Sequence, residues 1–405
     1  MGRKKFTMSK LCTKQQVDLF TILLSCTYMV SYITRTNFGA IISEVVSATG
    51  ISRDLLSIAL VGSFITYGSG QVVSGILGDH ISPKRLVSLG LVITILMNIS
   101  LPLCTSYLLM ILVWCINGFA QSFMWPPLVR MMSAMLSEED YKQATTRVSW
   151  GSSVGTILVY LVAPWIISIA SWKWVFMASA CAGICMLVIW NQYAEEISIS
   201  SRGNQKSKGS LSLSPLMISI MLAIILQGML RDGVTTWMPS YIAETYHLSN
   251  STSILTGVVL PLFSILCFSL ATKLYTHVLR NPLVCAGTFF LVGTLSSITL
   301  YSFNDQSAVL SVICSAVLTG CMQGVNLMLV CMLPAYFSKY GNVGTVSGVL
   351  NSCTYVGSAV STYGIAVISQ SLGWHSTIFV WFMIALLGTI LCLGSAKQWY
   401  QQYME

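Results

Sequence analysis

The chain is 405 residues long, 55% hydrophobic and only 8% charged, with a mean hydropathy of +0.74. A soluble protein carries about 25% charged residues, so a water-soluble globular enzyme is excluded and a polytopic membrane protein remains. The net charge of +8 then reflects membrane topology rather than nucleic-acid binding.

The predicted elements are taken from the N-terminus. Arg3, Lys4, Lys5, Lys10 and Lys14 precede the first apolar run, which is too long for a signal peptide, so this stretch reads as a retained cytoplasmic anchor. Twelve apolar stretches of about 20 residues or more follow, the length a spanning α-helix requires, without the alternation of an outer-membrane barrel. Span one, 16–43, carries Arg35, and span two, 54–78, carries Tyr67 and Gln71 one turn apart. Span three is 84–103. Span four, 106–132, contains Trp125-Pro126-Pro127 and is expected to kink there. The acidic run 137–142 reads as a solvated loop before span five, 146–169, and span six, 172–194.

The stretch 194–213 is rich in Ser, Gly and charge and reads as a flexible linker. Span seven, 214–241, carries Arg231; spans eight to twelve are 251–275, 282–303, 306–335, 341–369 and 373–396. The expected fold is all-α and integral to the membrane. Twelve transmembrane helices form two pseudo-symmetric six-helix bundles, 1–193 and 214–405, joined by a cytoplasmic linker at 194–213. Carriers built this way bind substrate near the midplane and rock about it.

With the N-terminus inside, all but four of the 21 Lys and Arg fall on the cytoplasmic side, which also holds the C-terminus. Two exceptions, Arg53 and Lys173, are on the outer side; the others are Arg35 and Arg231, inside spans. An arginine at the centre of a span costs roughly 2.5–3.5 kcal/mol on insertion scales. Each of these two sits in the opening helix of one half. That placement predicts two guanidinium groups converging on one anionic ligand. The alternative is a structural pairing of each with a carboxylate or with helix-end carbonyls. Acids near midspan are scarce: Asp18 is near the inner end of span one, and Asp232 directly follows Arg231. Consecutive helical residues point about 100° apart, so Asp232 is expected off the Arg231 face. Arg130, near the inner end of span four, is expected to snorkel to the interface.

Thirteen cysteines lie scattered, mostly within apolar runs, with no CxxC pair and no Cys/His spacing that suits a metal. No Walker sequence, paired catalytic carboxylates or nucleophile elbow is visible, so enzymatic chemistry, a cofactor and a bound metal are not expected.

Two resemblances sharpen this reading. The loop Gly75-Ile-Leu77-Gly78-Asp79-His80-Ile-Ser-Pro83-Lys84-Arg85 resembles the loop after span two of the major facilitator superfamily. His80 stands in place of the usual first basic residue, and Ser82-Pro83 in place of a glycine-basic pair. The resemblance implies an inner gate at Asp79, Lys84 and Arg85.

The string Tyr32-Ile-Thr-Arg35-Thr-Asn37-Phe38 is similar to the Y-x-x-R-x-N-F of the organophosphate:phosphate antiporters, carriers of glycerol 3-phosphate and hexose phosphates. So are Gln121-x-x-x-Trp125-Pro126-Pro127-x-x-Arg130 in span four, Leu230-Arg231-x-Gly233-x-x-x-Trp237-x-Pro239-x-Tyr241 in span seven and Tyr355-Val-Gly357 in span eleven. The matches keep their order over both halves. They imply a substrate site of Arg35, Arg231, Tyr28, Tyr32, Tyr67, Gln71, Trp125, Ser152 and Tyr355, with Tyr28, Tyr32 and Arg35 on one helix face. A phosphate ester is a dianion with three peripheral oxygens, and a planar guanidinium takes two of them at once. Members of the family carry lysine at the Gln71 position and histidine at the Ser152 position, so less positive charge is expected here.

The expected activity is exchange of an organic phosphate, or related anion, for inorganic phosphate by alternating access. The expected setting is a monomer in the lipid bilayer of a bacterial inner membrane, with no nucleic-acid partner. Two rival expectations stand beside it. A proton-coupled carrier needs an intramembrane acid or histidine, which the first half lacks near midspan. A membrane sensor of phosphate esters would keep the site without transporting.

Overall fold

The computed structural model describes residues 13–51, 53–196, 214–247, 258–340 and 343–403. The basic N-terminal stretch, most of the expected linker and the start of span eight lie outside the described residues. Those described are helical almost throughout and include no strand.

In the first half, α1 (Lys14–Ala40) opens on a capping box, Thr13 accepting from the Gln16 amide. The short α2 (Ile42–Thr49) follows and stops at Gly50, whose φ of 71° needs no Cβ. Next come α3 (Arg53–His80) and α4 (Pro83–Ser100), the latter with proline at its first turn, where no amide hydrogen is required. Span four is broken as its two prolines demand: α5 (Tyr107–Gln121) and α6 (Trp125–Met135) are separated by a tight turn at 122–124. Helix α7 (Glu138–Ile169) and α8 (Trp172–Tyr193) complete this half. The acidic run expected as a loop is instead the first turn of α7. Ser137 caps it, and Glu138, Glu139 and Asp140 lie at the positive end of the helix dipole.

In the second half, α9 (Pro215–Tyr246) is capped by Ser214, and α10 (Val259–Leu274) ends in a wider π turn at Tyr275–Leu279. Helices α11 (Pro282–Phe303) and α12 (Ala308–Asn326) follow, α12 running on through a π segment and a 3-10 turn to Tyr340. The last helix, α13 (Val343–Tyr403), has 61 residues and breaks at Gly373, where φ is 79° and ψ 174°. Eleven segments among the described residues are long and apolar enough to cross a membrane. The arm of α13 before Gly373 is less apolar than these, but it is long enough to make a further crossing.

The chain divides into two compact units, Met1–Ser210 with Pro334–Val349, and Leu211–Leu333 with Leu350–Glu405. In lipid, helices associate through close packing and buried polar contacts rather than through hydrophobic exclusion. Both units show this. In the first, a Cβ at Gly151 or Gly155 of α7 would lie 2.5 Å from the carbonyl oxygen of Ser25 or Met29 on α1. In the second, a Cβ at Gly357 of α13 would lie 2.0 Å from Ile225 O on α9, and one at Gly228 would lie 2.1 Å from Thr354 O. The helices carrying the two arginines, α1 and α9, are thus each held backbone to backbone. Leu19, Ile22, Leu108 and Leu112, exposed on the first unit, suit contact with lipid.

Candidate anion-binding site

In the first unit the arginine is held between two rings. The Arg35 guanidinium carbon sits 4.1 Å from the centroid of Tyr32 and 4.6 Å from that of Tyr67, which α3 contributes. The electron-rich ring faces hold the cation, an attraction worth about 0.5–2 kcal/mol depending on solvation. Tyr28 meets Tyr32 edge-on at 5.1 Å and lies tilted against Trp125 at 5.0 Å. Five sequence-predicted residues from three segments thus form one continuous cluster, and Gln71 extends it one turn along α3.

Within that cluster, Trp125 Nε1 and both polar atoms of the Gln71 amide are buried and have no hydrogen-bond partner in the protein. A buried polar group left unsatisfied costs about 1–3 kcal/mol. Donors kept in that condition along the Arg35 cluster suit a ligand rich in acceptor oxygens.

The position of α1 is set by a buried polar network whose Asn37 and Gln121 stand in the quoted motifs but whose Asn98, Asn117 and Ser179 do not. Asn37 donates to Asn98 Oδ1 at 2.8 Å and to Ser179 Oγ at 3.0 Å. Asn98 and Asn117 both donate to Thr34 O, and Gln121 donates to Thr34 Oγ1 at 2.8 Å. These side chains, from α1, α4, α5 and α8, are all buried. They clamp the turn of α1 on either side of Arg35. The signal available was Asn98 and Asn117 inside otherwise apolar runs.

In the second unit Arg231 is paired. Its Nε donates to Asp232 Oδ1 at 2.6 Å and its Nη2 to Oδ2 at 2.7 Å. This corrects the expectation that Asp232 lies off the Arg231 face. The Cα–Cβ bonds do diverge, but the long arginine stem curls around the helix and brings the fork back over its neighbour. Ser358 on α13 donates to Asp232 Oδ2 in a short bond, and the Tyr355 ring centroid lies 5.8 Å from the guanidinium carbon. Trp237 Nε1, two turns further along α9, is buried without a partner.

Other expected residues are placed differently. The Ser152 hydroxyl closes on its own helix, donating to Ser149 O at 2.7 Å. Trp150, beside it, has a buried Nε1 without a partner. Lys84 donates to the carbonyls of Asn191 and Ala194, and Arg85 pairs with Glu196 at 3.0 Å, so both tie the first turn of α4 to the end of α8 and the residues just after it. The Asp79 side chain lies outside the described residues. Arg130 Nη1 donates to the Ile81 carbonyl at 3.5 Å. Among the described residues no group of His, Cys, Asp and Glu converges as metal ligands would.

A helical membrane fold in two halves, each with an arginine in its first helix, suits a membrane protein that handles an anion. Residues 24–362 match the Major Facilitator Superfamily model, and the chain belongs to that superfamily. Its relatives include probable hexose phosphate transport proteins, the membrane sensor protein UhpC and a glycerol-3-phosphate transporter. The probable hexose phosphate transport protein of Chlamydia muridarum is 23% identical, over 90% of this chain and 86% of its own. The membrane sensor protein UhpC of Salmonella typhimurium is 24% identical, over 89% and 86%. The glycerol-3-phosphate transporter of Bacillus subtilis is 23% identical over 80% of each. Among solved structures, the proton:xylose symporter XylE shares the fold at a TM-score of 0.78 and 10% identity, covering 97% of both chains. FucP in its outward conformation does so at 0.73 and 11%, over 93% and 98%. The protein is a multi-pass membrane transporter and not an enzyme.

Proposed function

We propose that this carrier exchanges an organic phosphate, of the glycerol 3-phosphate or sugar phosphate class, for inorganic phosphate by alternating access. The observation that carries the reading is Arg35 stacked between Tyr32 and Tyr67, in a cluster that keeps the donors of Trp125 and Gln71 without partners. Arg35 and Arg231 each supply a planar fork to the phosphoryl oxygens, and tyrosine hydroxyls add further donors. Binding offsets the cost of holding cations in a low-dielectric span and stabilises the conformation through which the carrier switches. A carrier that switches readily only when loaded is an obligate exchanger. Gln71 and Ser152 bring no positive charge, which favours small phosphates over larger, more highly charged esters.

The termini are cytoplasmic in this reading, following the lysine and arginine asymmetry, and the membrane is a bacterial inner membrane. The test is exchange in proteoliposomes loaded with labelled phosphate. Efflux should require external phosphate, glycerol 3-phosphate or a hexose phosphate. Robust exchange that survives Arg35→Lys together with Arg231→Lys would overturn the mechanism. A sensor reading is favoured by the UhpC relatives. It is distinguished by ligand binding without flux.

A further inference from the structure

The second-half arginine already holds an oxyanion, and the chain supplies it. Asp232 takes the Nε/Nη2 edge of Arg231 with one oxygen on each nitrogen, at 2.6 and 2.7 Å. That edge, in that two-pronged geometry, is one a phosphoryl group or substrate carboxylate would use. The pair is well shielded, with 11% of the arginine side chain and 29% of the aspartate side chain exposed. Within this unit, α12 and the arm of α13 before Gly373 carry no rival charge. Helix α12 packs on α9, and α13 meets α9 at Gly228, Gly233 and Gly357. Residues 308–338 and 343–374 contain no Asp, Glu, Lys, Arg or His. The Ser358 hydroxyl, bonded to Oδ2, gives the carboxylate a second partner that does not depend on the guanidinium.

We propose that Asp232 is an exchangeable counter-ion, a built-in surrogate for the substrate that occupies the Arg231 fork and is displaced when an anion binds. This rests on the anion-exchange reading above and specifies how the second-half site discriminates. An uncompensated guanidinium in a span is costly, and Asp232 removes that cost when no anion is bound. The incoming ligand must outcompete a carboxylate already in bidentate register. Oxyanions with two correctly spaced oxygens and high charge can do so; neutral sugars and monodentate anions cannot. The surrogate also weakens apparent affinity in proportion to the fraction of time the fork is closed. A fork open one tenth of the time lowers affinity about tenfold. Weaker binding serves an exchanger, because the anion must also leave: the returning carboxylate helps to eject it.

The experiment uses the purified full-length protein in detergent, with inorganic phosphate and glycerol 3-phosphate as probes. Binding is measured by calorimetry for wild type, Asp232→Asn and Asp232→Ser. Removing the charge should tighten binding of both probes about tenfold. In proteoliposomes the same variants should show a lower KM and a lower maximal exchange rate, because release slows. Wild type supplies a measurement independent of variant folding. Phosphate added to the protein should shift a carboxylate stretching band in the infrared difference spectrum, and that shift should be absent in any Asp232 variant that folds. Equal affinity in wild type and variants, or a difference spectrum with no carboxylate change while phosphate binds, overturns the counter-ion and leaves the exchange reading standing. Failure of wild type and variants alike to bind either probe overturns both.

Discussion

Replacing Gly357 by alanine tests whether backbone contact between α9 and α13 holds the second-half site together. The new Cβ would stand 2.0 Å from Ile225 O and 2.9 Å from both Ile225 C and Met229 N, all backbone atoms that cannot rotate away. Ordinary contact begins near 3.4 Å, so the two helices must part locally by roughly 1.4 Å, and overpacking of this kind costs typically 1–3 kcal/mol. Gly364→Ala on the same helix is the control. Its Cβ would meet nothing within 4 Å, and alanine is favoured over glycine in a helix by about 0.8–1 kcal/mol. Thermal unfolding in detergent should show a lowered midpoint for Gly357→Ala and an unchanged or raised one for Gly364→Ala. Gly357 lies between Tyr355 and Ser358, so parting the helices also moves both away from Arg231 and Asp232. Phosphate binding should therefore weaken in Gly357→Ala and not in Gly364→Ala. A Gly357→Ala protein that melts and binds like wild type would refute the reasoning.

Three further changes separate the roles of the first-half residues. Arg35→Lys keeps the charge but loses the planar fork and most of the stacking between Tyr32 and Tyr67. With a desolvated cation–π contact worth up to about 2 kcal/mol, phosphate affinity should fall by about tenfold or more in a binding titration, with little change in melting. Asn37→Ala strips partners from Asn98 Oδ1 and Ser179. Unsatisfied buried groups cost about 1–3 kcal/mol each, so this variant should melt earlier and, through the loosened α1 turn, also lose exchange. Arg147→Ala breaks the 2.7 Å pair with Asp18, whose side chains are 44% and 39% exposed. Exposed pairs are worth about 0–1 kcal/mol, so both melting and exchange should stay near wild type.

The Asp232 pairing also changes the electrostatic account of the empty carrier. Reading Arg231 as a bare cation leaves a net positive charge on that turn of α9. With Asp232 on the fork, α9 contributes no net charge there. Exchange then depends on competition for the fork as well as on charge neutralisation.

Composition and local order in the sequence are enough for the class of fold. Runs of apolar residues long enough to cross a bilayer must be helices, because lipid offers no partner for backbone N–H and C=O groups. Lys and Arg crowd one side of those runs, and Pro126-Pro127 interrupts a helix wherever it stands. These are one-dimensional constraints, and α1, the break before α6 and the capped start of α9 follow from them. Tyr28, Tyr32 and Arg35 share a face by helical spacing alone. Contacts between helices are not written locally. Only the tertiary structure brings the Tyr67 ring onto Arg35, or ties Asn37 to Asn98, 61 positions away. Only the torsions of one flexible side chain decide that Arg231 turns back onto Asp232. Helical periodicity fixes where a Cβ points, but the end of a long side chain goes where packing and charge place it. For that reason the sequence located both arginines, and the fold determined what each of them holds.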